Sequence, residues 1–429
     1  MGKRRGTGER GIGRWKFESL SFGSKCDKLF QVTMHLETPF MNSEKIAMNY
    51  YAPTESTLVA RRRKTGRKVL KFFLISAGLI LLILVGMGEW IYFSVFFSRS
   101  PHDYSGAHPF KSANARAEYL AFEDGMAKTW PVHSEERLAQ TSFGQTFMRV
   151  SGPADGRPLM LLPGGGCNSL IWHANIQALS QKYRTYALDN IYDYGRSVYT
   201  REMKTGADFS AWLNELFDTL RLGNNVRIAG YSYGGWVASQ YALRHPERVS
   251  HVVLIAPVCT VLPLSNDYII KMLTTLIPVR YFKSKIMYWC WADLAQMGDT
   301  GVQLVEDRID FYQMALKCFK FKQPPNPTVL SDEELQRLKM PVLFLVGNHE
   351  TVYDAKIAVD RLRRVNPKIN AEMIMNTGHD LMFTHTDAVN RKVLAFLDTE
   401  PVKEIVGAPE PPKIHKQVVK RKKMRTHSN

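Results

Sequence analysis

A chain of 429 residues, 45% of them hydrophobic, is long enough to bury a full core, which excludes disorder throughout. Its formal charge of +17 sits at the ends: residues 1–71 hold 16 Lys/Arg against 6 Asp/Glu, residues 401–429 hold 8 against 2, and the remainder holds 33 against 32. A nearly neutral body between two basic ends argues against a nucleic-acid groove, which spreads its charge over the folded surface, and suits segments that flank a membrane.

In chain order, residues 1–60 carry scattered Gly, Ser and charge without helical or alternating periodicity, and residues 1–71 are expected to form a basic cytoplasmic segment without stable structure. Phe72 to Phe97 is then apolar apart from Glu89, longer than the roughly 20 residues that cross a hydrocarbon layer. Trp90 and Tyr92 suit a head-group belt. Arg61-Arg62-Arg63-Lys64, Arg67, Lys68 and Lys71 precede the run and only Arg99 follows closely, so the expectation is a single transmembrane helix over 72–97 with the N-terminus cytoplasmic and the body extracytoplasmic. No small-residue cleavage site directly follows the run, which favours a retained anchor over a signal peptide. Residues 98–135 read as a juxtamembrane linker.

From there strand and helix alternate, the pattern of a mostly parallel sheet covered on both faces. Short apolar runs at 147–151, 159–162, 185–188, 226–229, 252–255, 342–346 and 372–375 predict buried strands. Phe209 to Leu222 and Trp236 to Arg244 have helical spacing, and Ser331-Asp332-Glu333-Glu334 is a capping box. The interval between Pro257 and Val342 is too long for a simple crossover and reads as a helical cap. Its segments are Tyr268–Leu276, Tyr281–Met297 and Val302–Phe319. Trp289, Trp291, Met272 and Met287 either line an apolar acyl pocket there or simply pack. The resulting division is 136–258 for the first part of the core, 259–338 for the cap, 339–400 for the second part and 401–429 for a basic tail. Five cysteines with no paired or metal-ligating spacing read as small buried apolar residues.

Gly230-Tyr231-Ser232-Tyr233-Gly234 is a G-x-S-x-G pentapeptide at a predicted strand end, directly before a predicted helix. A serine on so tight a turn is raised above the sheet edge, and only small residues at 230 and 234 let strand and helix approach. With this elbow, the following Arg244-His245-Pro246-Glu247-Arg248-Val249 and the segments below, the chain resembles the α/β-hydrolase family over roughly residues 143–397. The resemblance implies a mostly parallel eight-stranded sheet with a helical cap, and the order Ser, acid, His along the chain. Ser232 is then the nucleophile. Asn376-Thr377-Gly378-His379-Asp380 resembles the family's histidine loop, making His379 the base. Gly347-Asn348-His349-Glu350 follows a strand where the family commonly has Asp in the place of Glu350; Glu350 is the favoured acid and Asp354 the alternative. Leu161-Leu162-Pro163-Gly164-Gly165-Gly166 resembles the loop that supplies an oxyanion donor, which assigns the donors to Gly165 and Tyr233, with Gly166 as a further candidate. Many relatives have His where this chain has Pro163. Asp189 to Ser197 resembles a structural loop of the family, with two residues altered or inserted.

These residues point to acyl transfer from a small carboxylic ester to water, with no cofactor, no metal and no nucleic-acid partner, on a membrane-tethered enzyme. An amide or peptide substrate is the nearer alternative, and a catalytically silent, membrane-tethered binding module is the reading from a different class.

Overall fold

The structure is a computed structural model that describes residues 70–76, 78–79, 109–275, 279–320, 322 and 324–400. The chain divides into two units, residues 1–80 and 81–429. Of the first, 70–76 and 78–79 are helical. Most of the expected span over 72–97, and all of 1–69 and 401–429, lie outside the described residues; among those described, no helix is long and apolar enough to cross a membrane.

The second unit holds a nine-stranded sheet. Its strands are β1 (Glu135–Thr141), β2 (Gly144–Ser151), β3 (Arg157–Leu162), β4 (Tyr183–Leu188), β5 (Val198–Tyr199), β6 (Val226–Tyr231), β7 (Val249–Ile255), β8 (Val342–Gly347) and β9 (Asn370–Ile374). Eight lie on one path, β1-β2-β4-β3-β6-β7-β8-β9, and the two-residue β5 pairs with β2 as a ninth, one more than the eight expected. From β4 to β9 along that path every pairing is parallel, while β1 and β2 are antiparallel additions. All residues of β4, β6, β7 and β8 are buried, because helices cover both faces. Alternate side chains feed two cores. Met160, Leu162, Ile228, Leu254, Phe344 and Val346 point to one, and Leu159, Leu161, Ala229, Val253, Ile255 and Leu345 to the other.

The helix before the elbow, α3 (Gly206–Thr219), starts at a capping box between Thr205 and Asp208. Elbow helix α4 (Tyr233–Arg244) is buried along nearly its whole length. The cap consists of α5 (Asn266–Thr274), α6 (Arg280–Cys290), α7 (Ala292–Ala295) and α8 (Asp299–Cys318). The single helix expected over Tyr281–Met297 is therefore broken at Trp291, whose ψ of 42° takes it out of helical geometry. Trp291 is buried and its ring lies 4.9 Å from that of Phe383, while Met272 is exposed.

Residues 98–135 are not only a linker. Ser112 caps a helix, α1 (Ala113–Ala127), and the Phe110 strand bridge to Phe319 ties its start to the end of α8. Phe110, Tyr119, Phe311, Ala315, Cys318 and Phe319 form a third buried cluster between α1 and α8. The helix also delivers Glu123, fully buried, between two guanidinium groups: Arg149 Nη2 is 2.6 Å from Glu123 Oε1, and Arg196 Nε pairs with the other oxygen. Burial raises the Glu123 pKa, as does nearby Asp189, and the two arginines oppose that shift. Periodicity could not reveal this helix, because a buried glutamate reads as a solvent-facing residue until its partners are known.

Removing one member of a buried ion cluster leaves uncompensated charge and costs about 3–5 kcal/mol, whereas an exposed pair contributes at most about 1. Glu123→Ala is accordingly expected to destabilise the folded unit far more than Glu118→Ala, which breaks an exposed pair between α1 and Lys317 on α8. Equilibrium guanidinium unfolding followed by tryptophan fluorescence compares them, and equal effects would show that the Glu123 cluster is not a buried anchor.

Candidate active site

Loops at the carboxyl ends of β3, β6, β8 and β9 supply the site, the edge at which parallel sheets gather ligands. Ser232 bridges β6 and α4 with φ 52° and ψ −115°, a backbone region that costs an L-residue about 1–3 kcal/mol. Neighbouring strands hold it there. Its N–H donates to the Ile255 carbonyl at 2.9 Å, and its carbonyl accepts from Gly235 at 3.0 Å and from Val258 at 3.3 Å. A side chain at Gly230 would collide with the Gly234 carbonyl, and one at Gly234 with the carbonyls of Leu162 and Pro163. The elbow exists only because both positions lack a Cβ.

His379 Nε2 lies 3.0 Å from Ser232 Oγ. Its Nδ1 lies 2.9 Å from Glu350 Oε2 and 3.1 Å from Oε1. The Glu350 side chain is fully buried, and its Oε1 accepts two further bonds, from the N–H groups of Thr351 and Val352, each at 2.9 Å. Asp354 is not brought to this cluster. It is exposed and caps α10 (Ala355–Val365), accepting from the Ile357 N–H at 2.8 Å. Burial disfavours the charged imidazole of His379, but the charge and hydrogen bond of Glu350, with a further contribution from Asp380, outweigh it and raise the pKa above its ordinary value.

Other groups fix the loops that carry these three side chains, in roles the sequence patterns did not assign even where, as for Tyr231 and Asp380, the residue lies inside a quoted motif. Tyr231 donates its hydroxyl to the His379 carbonyl at 2.9 Å. Asp380, fully buried, accepts from the Gly378 N–H at 3.2 Å and, across the gap to the cap, from the Leu294 N–H at 2.7 Å. Asp293, beside Leu294, faces Nδ1 of His349 at 3.1 Å, one residue before Glu350. The short helix α7 thus touches both the acid loop and the histidine loop.

Gly165 and Tyr233 face each other beside the serine: a Cβ placed on Gly165 would meet that of Tyr233 at 3.5 Å. Among the described residues neither of their backbone N–H groups has a hydrogen-bond acceptor. Gly166 differs. Its N–H donates to Asp193 Oδ2 at 2.9 Å, so it is not available as the further oxyanion donor considered from the sequence. Four cysteines (Cys167, Cys259, Cys290 and Cys318) are free and buried, and Cys26 lies outside the described residues. Among the described residues no cluster of three or more His, Cys, Asp or Glu side chains is arranged to hold a metal ion.

Residues 157–285 match the family model described as alpha/beta hydrolase fold. Carboxylesterase YbfK of Bacillus subtilis is 34% identical over 279 residues, which covers 65% of this chain and 93% of that protein. A second B. subtilis protein, the uncharacterized carboxylesterase nap, is 32% identical over 316 residues, covering 70% of this chain and 98% of its own. Among solved structures, naproxen esterase (carboxylesterase NP) from B. subtilis superposes with a TM-score of 0.61 at 32% identity, over 67% of this chain and 99% of that one.

Because Glu350 raises the His379 pKa, Glu350→Gln is expected to lower it, and Asp354→Asn to leave it unchanged. Histidine-selective NMR titration reads this directly: the His379 resonance should change above the ordinary imidazole value in the parent chain and at lower pH in Glu350→Gln. A shift produced by Asp354→Asn instead would place the partner carboxylate elsewhere.

Proposed function

The chain belongs to the α/β-hydrolase family and is a serine hydrolase of carboxylic esters, and from that premise we propose that Ser232, His379 and Glu350 carry its reaction, with Gly165 and Tyr233 as the oxyanion donors. The observation that carries the assignment is the continuous contact from Ser232 Oγ through the two nitrogens of His379 to the buried Glu350 carboxylate. With its proton on Nδ1 and donated to Glu350, the imidazole presents Nε2 to accept the serine proton. Oγ attacks the ester carbonyl, and the developing oxyanion lies against the amides of Gly165 and Tyr233, whose N–H groups have no competing acceptor among the described residues. His379 then returns the proton to the departing alkoxide. Water attacks the acyl-enzyme with His379 again as base, which releases the carboxylic acid and restores Ser232.

The substrate is a small-molecule ester, and the cap over the sheet edge is the element that selects its acyl group. We also assign Phe72–Phe97 as a single membrane anchor, with residues 1–71 cytoplasmic and the hydrolase extracytoplasmic. This rests on the long apolar run, interrupted by a single charge at Glu89, and on the basic residues on one side of it.

Full-length protein is tested on p-nitrophenyl esters of graded chain length and on the matching anilides, with fluorophosphonate labelling in parallel. Ser232→Ala is expected to lose ester turnover by about 10⁴-fold or more and to lose labelling entirely. Retained ester turnover in Ser232→Ala would remove the assignment, faster cleavage of anilides than of esters would make the protein an amidase, and a parent chain that neither labels nor turns over would be a binding module. Separately, alkaline carbonate should leave the protein in the membrane fraction; release would remove the anchor.

A further inference from the structure

Oxyanion catalysis depends on donors that are already aimed before the charge develops. In this chain one donor belongs to Gly164-Gly165-Gly166, three successive residues without side chains and with the widest conformational freedom available to a backbone. The loop's local restraints are slight: the fixed φ of Pro163, a turn bond from the Cys167 N–H to the Gly164 carbonyl at 3.2 Å and a thiol contact from Cys167 Sγ to the Gly165 carbonyl at 3.5 Å. Stronger restraint comes from outside. The Gly166 N–H donates to Asp193 Oδ2 at 2.9 Å, and Asp193 is itself buried and accepts from the Tyr194 N–H at 2.8 Å. The Gly166 carbonyl accepts from Arg308 Nη2 at 2.8 Å. Gly166 is thereby gripped on both sides in a left-handed conformation, φ 68°, and a Cβ there would meet the Tyr312 ring at 3.3 Å.

Asp193 belongs to the core, but Arg308 and Tyr312 belong to cap helix α8. The Arg308 side chain is buried, lies over the Phe311 ring at 4.5 Å and forms no acid pair among the described residues. This buried guanidinium faces the Gly166 carbonyl, Cys167 and the field of the Asp193 carboxylate, a costlier way to join two elements than apolar packing, which would do so without desolvating a charge.

We propose that Arg308 is a positioning residue for catalysis: from the cap it clamps the Gly166 carbonyl against the hold of Asp193, and so keeps the Gly165 amide aimed at the oxyanion. The proposal rests on the assignment of Gly165 as a donor. It makes α8 part of the catalytic apparatus rather than a cover alone. The α7 contacts with Asp380 and His349 act in the same sense on the other two loops.

Arg308→Met and Arg308→Lys in the full-length protein test this. Methionine keeps most of the stem volume, and lysine keeps the charge without the fork that reaches the carbonyl. The expected result is kcat lower by about 10- to 100-fold with KM within about 3-fold, the lysine variant losing less. The inhibition constant of a trifluoromethyl ketone, whose tetrahedral adduct places an oxyanion in the hole, should rise by the same factor as kcat/KM falls. A residue that merely supports the cap would raise KM and lower the melting temperature while leaving kcat in place, and that result overturns the proposal. An unchanged inhibition constant in a folded Arg308→Lys protein overturns it as well, even where Arg308→Met does not fold. Ser232→Ala in the same series separates the two levels: if it retains turnover, the donor and nucleophile assignments fail, whatever Arg308 does.

Discussion

Burying the Glu350 carboxylate beside the His379 imidazole takes both groups out of water, and each would be costly there without the other. Two peptide N–H groups and one ring nitrogen occupy the carboxylate oxygens, so its position is set by the backbone after β8 as much as by its own rotamers. In the proposed reaction Glu350 fixes which nitrogen carries the proton, and so leaves the other to face Ser232. A glutamate in this place brings one methylene more than an aspartate. The bonds from Thr351 and Val352 absorb that extra length by turning the acid loop around the carboxyl head.

The serine end of the contact depends on a different constraint. An L-residue at φ 52° is strained, and the strain is held by the backbone of β7 and by the crossing of β3 and α4 at distances no side chain would permit. Backbone packing fixes Ser232, while hydrogen bonds fix His379 and Glu350. Tyr231 joins the two regimes, since it lies on the strained turn and donates to the His379 carbonyl.

That division explains what could be read from the sequence. The elbow was legible because its requirement is local: Gly230 and Gly234 appear at fixed offsets from Ser232 whatever surrounds them. Parallel strands buried on both faces were legible as continuous apolar runs, and their ends shifted by only a few residues. Edge strand β1 was not, because most of its residues are exposed and its sequence Glu-Glu-Arg-Leu-Ala-Gln-Thr carries little apolar signal. The acid loop favoured Glu350 through its likeness to the family's loop but kept Asp354 as the alternative, since four residues of separation do not by themselves say which carboxylate turns inward. Asp354 is engaged at the start of α10, a cap preference the local pattern also allowed. Asp193 and Asp380 stood inside segments that resemble family loops, but nothing there pointed to their partners, and Asp293 and Arg308 carried no signal. Each acts through a partner distant in the chain, on a loop or helix whose placement only the fold decides.

The cap contacts alter what this part of the molecule can do. A cover that only shielded the serine could swing away as a body without disturbing the chemistry beneath it. Here Arg308 is bound to the glycine loop, the Leu294 amide to the histidine loop and Asp293 to the acid loop. Lifting α7 and α8 together would break these three contacts to the site loops, two of them made by buried side chains, and would release the loops that must stay aimed. Helix α5 has no buried residue and exposes Ile270 and Leu273, yet it too is tied to the site: its N-cap Ser265 donates its N–H to the Val352 carbonyl at 2.7 Å and its hydroxyl to the Thr351 carbonyl at 3.0 Å, so the acid loop that positions Glu350 is held from the cap on this side as well.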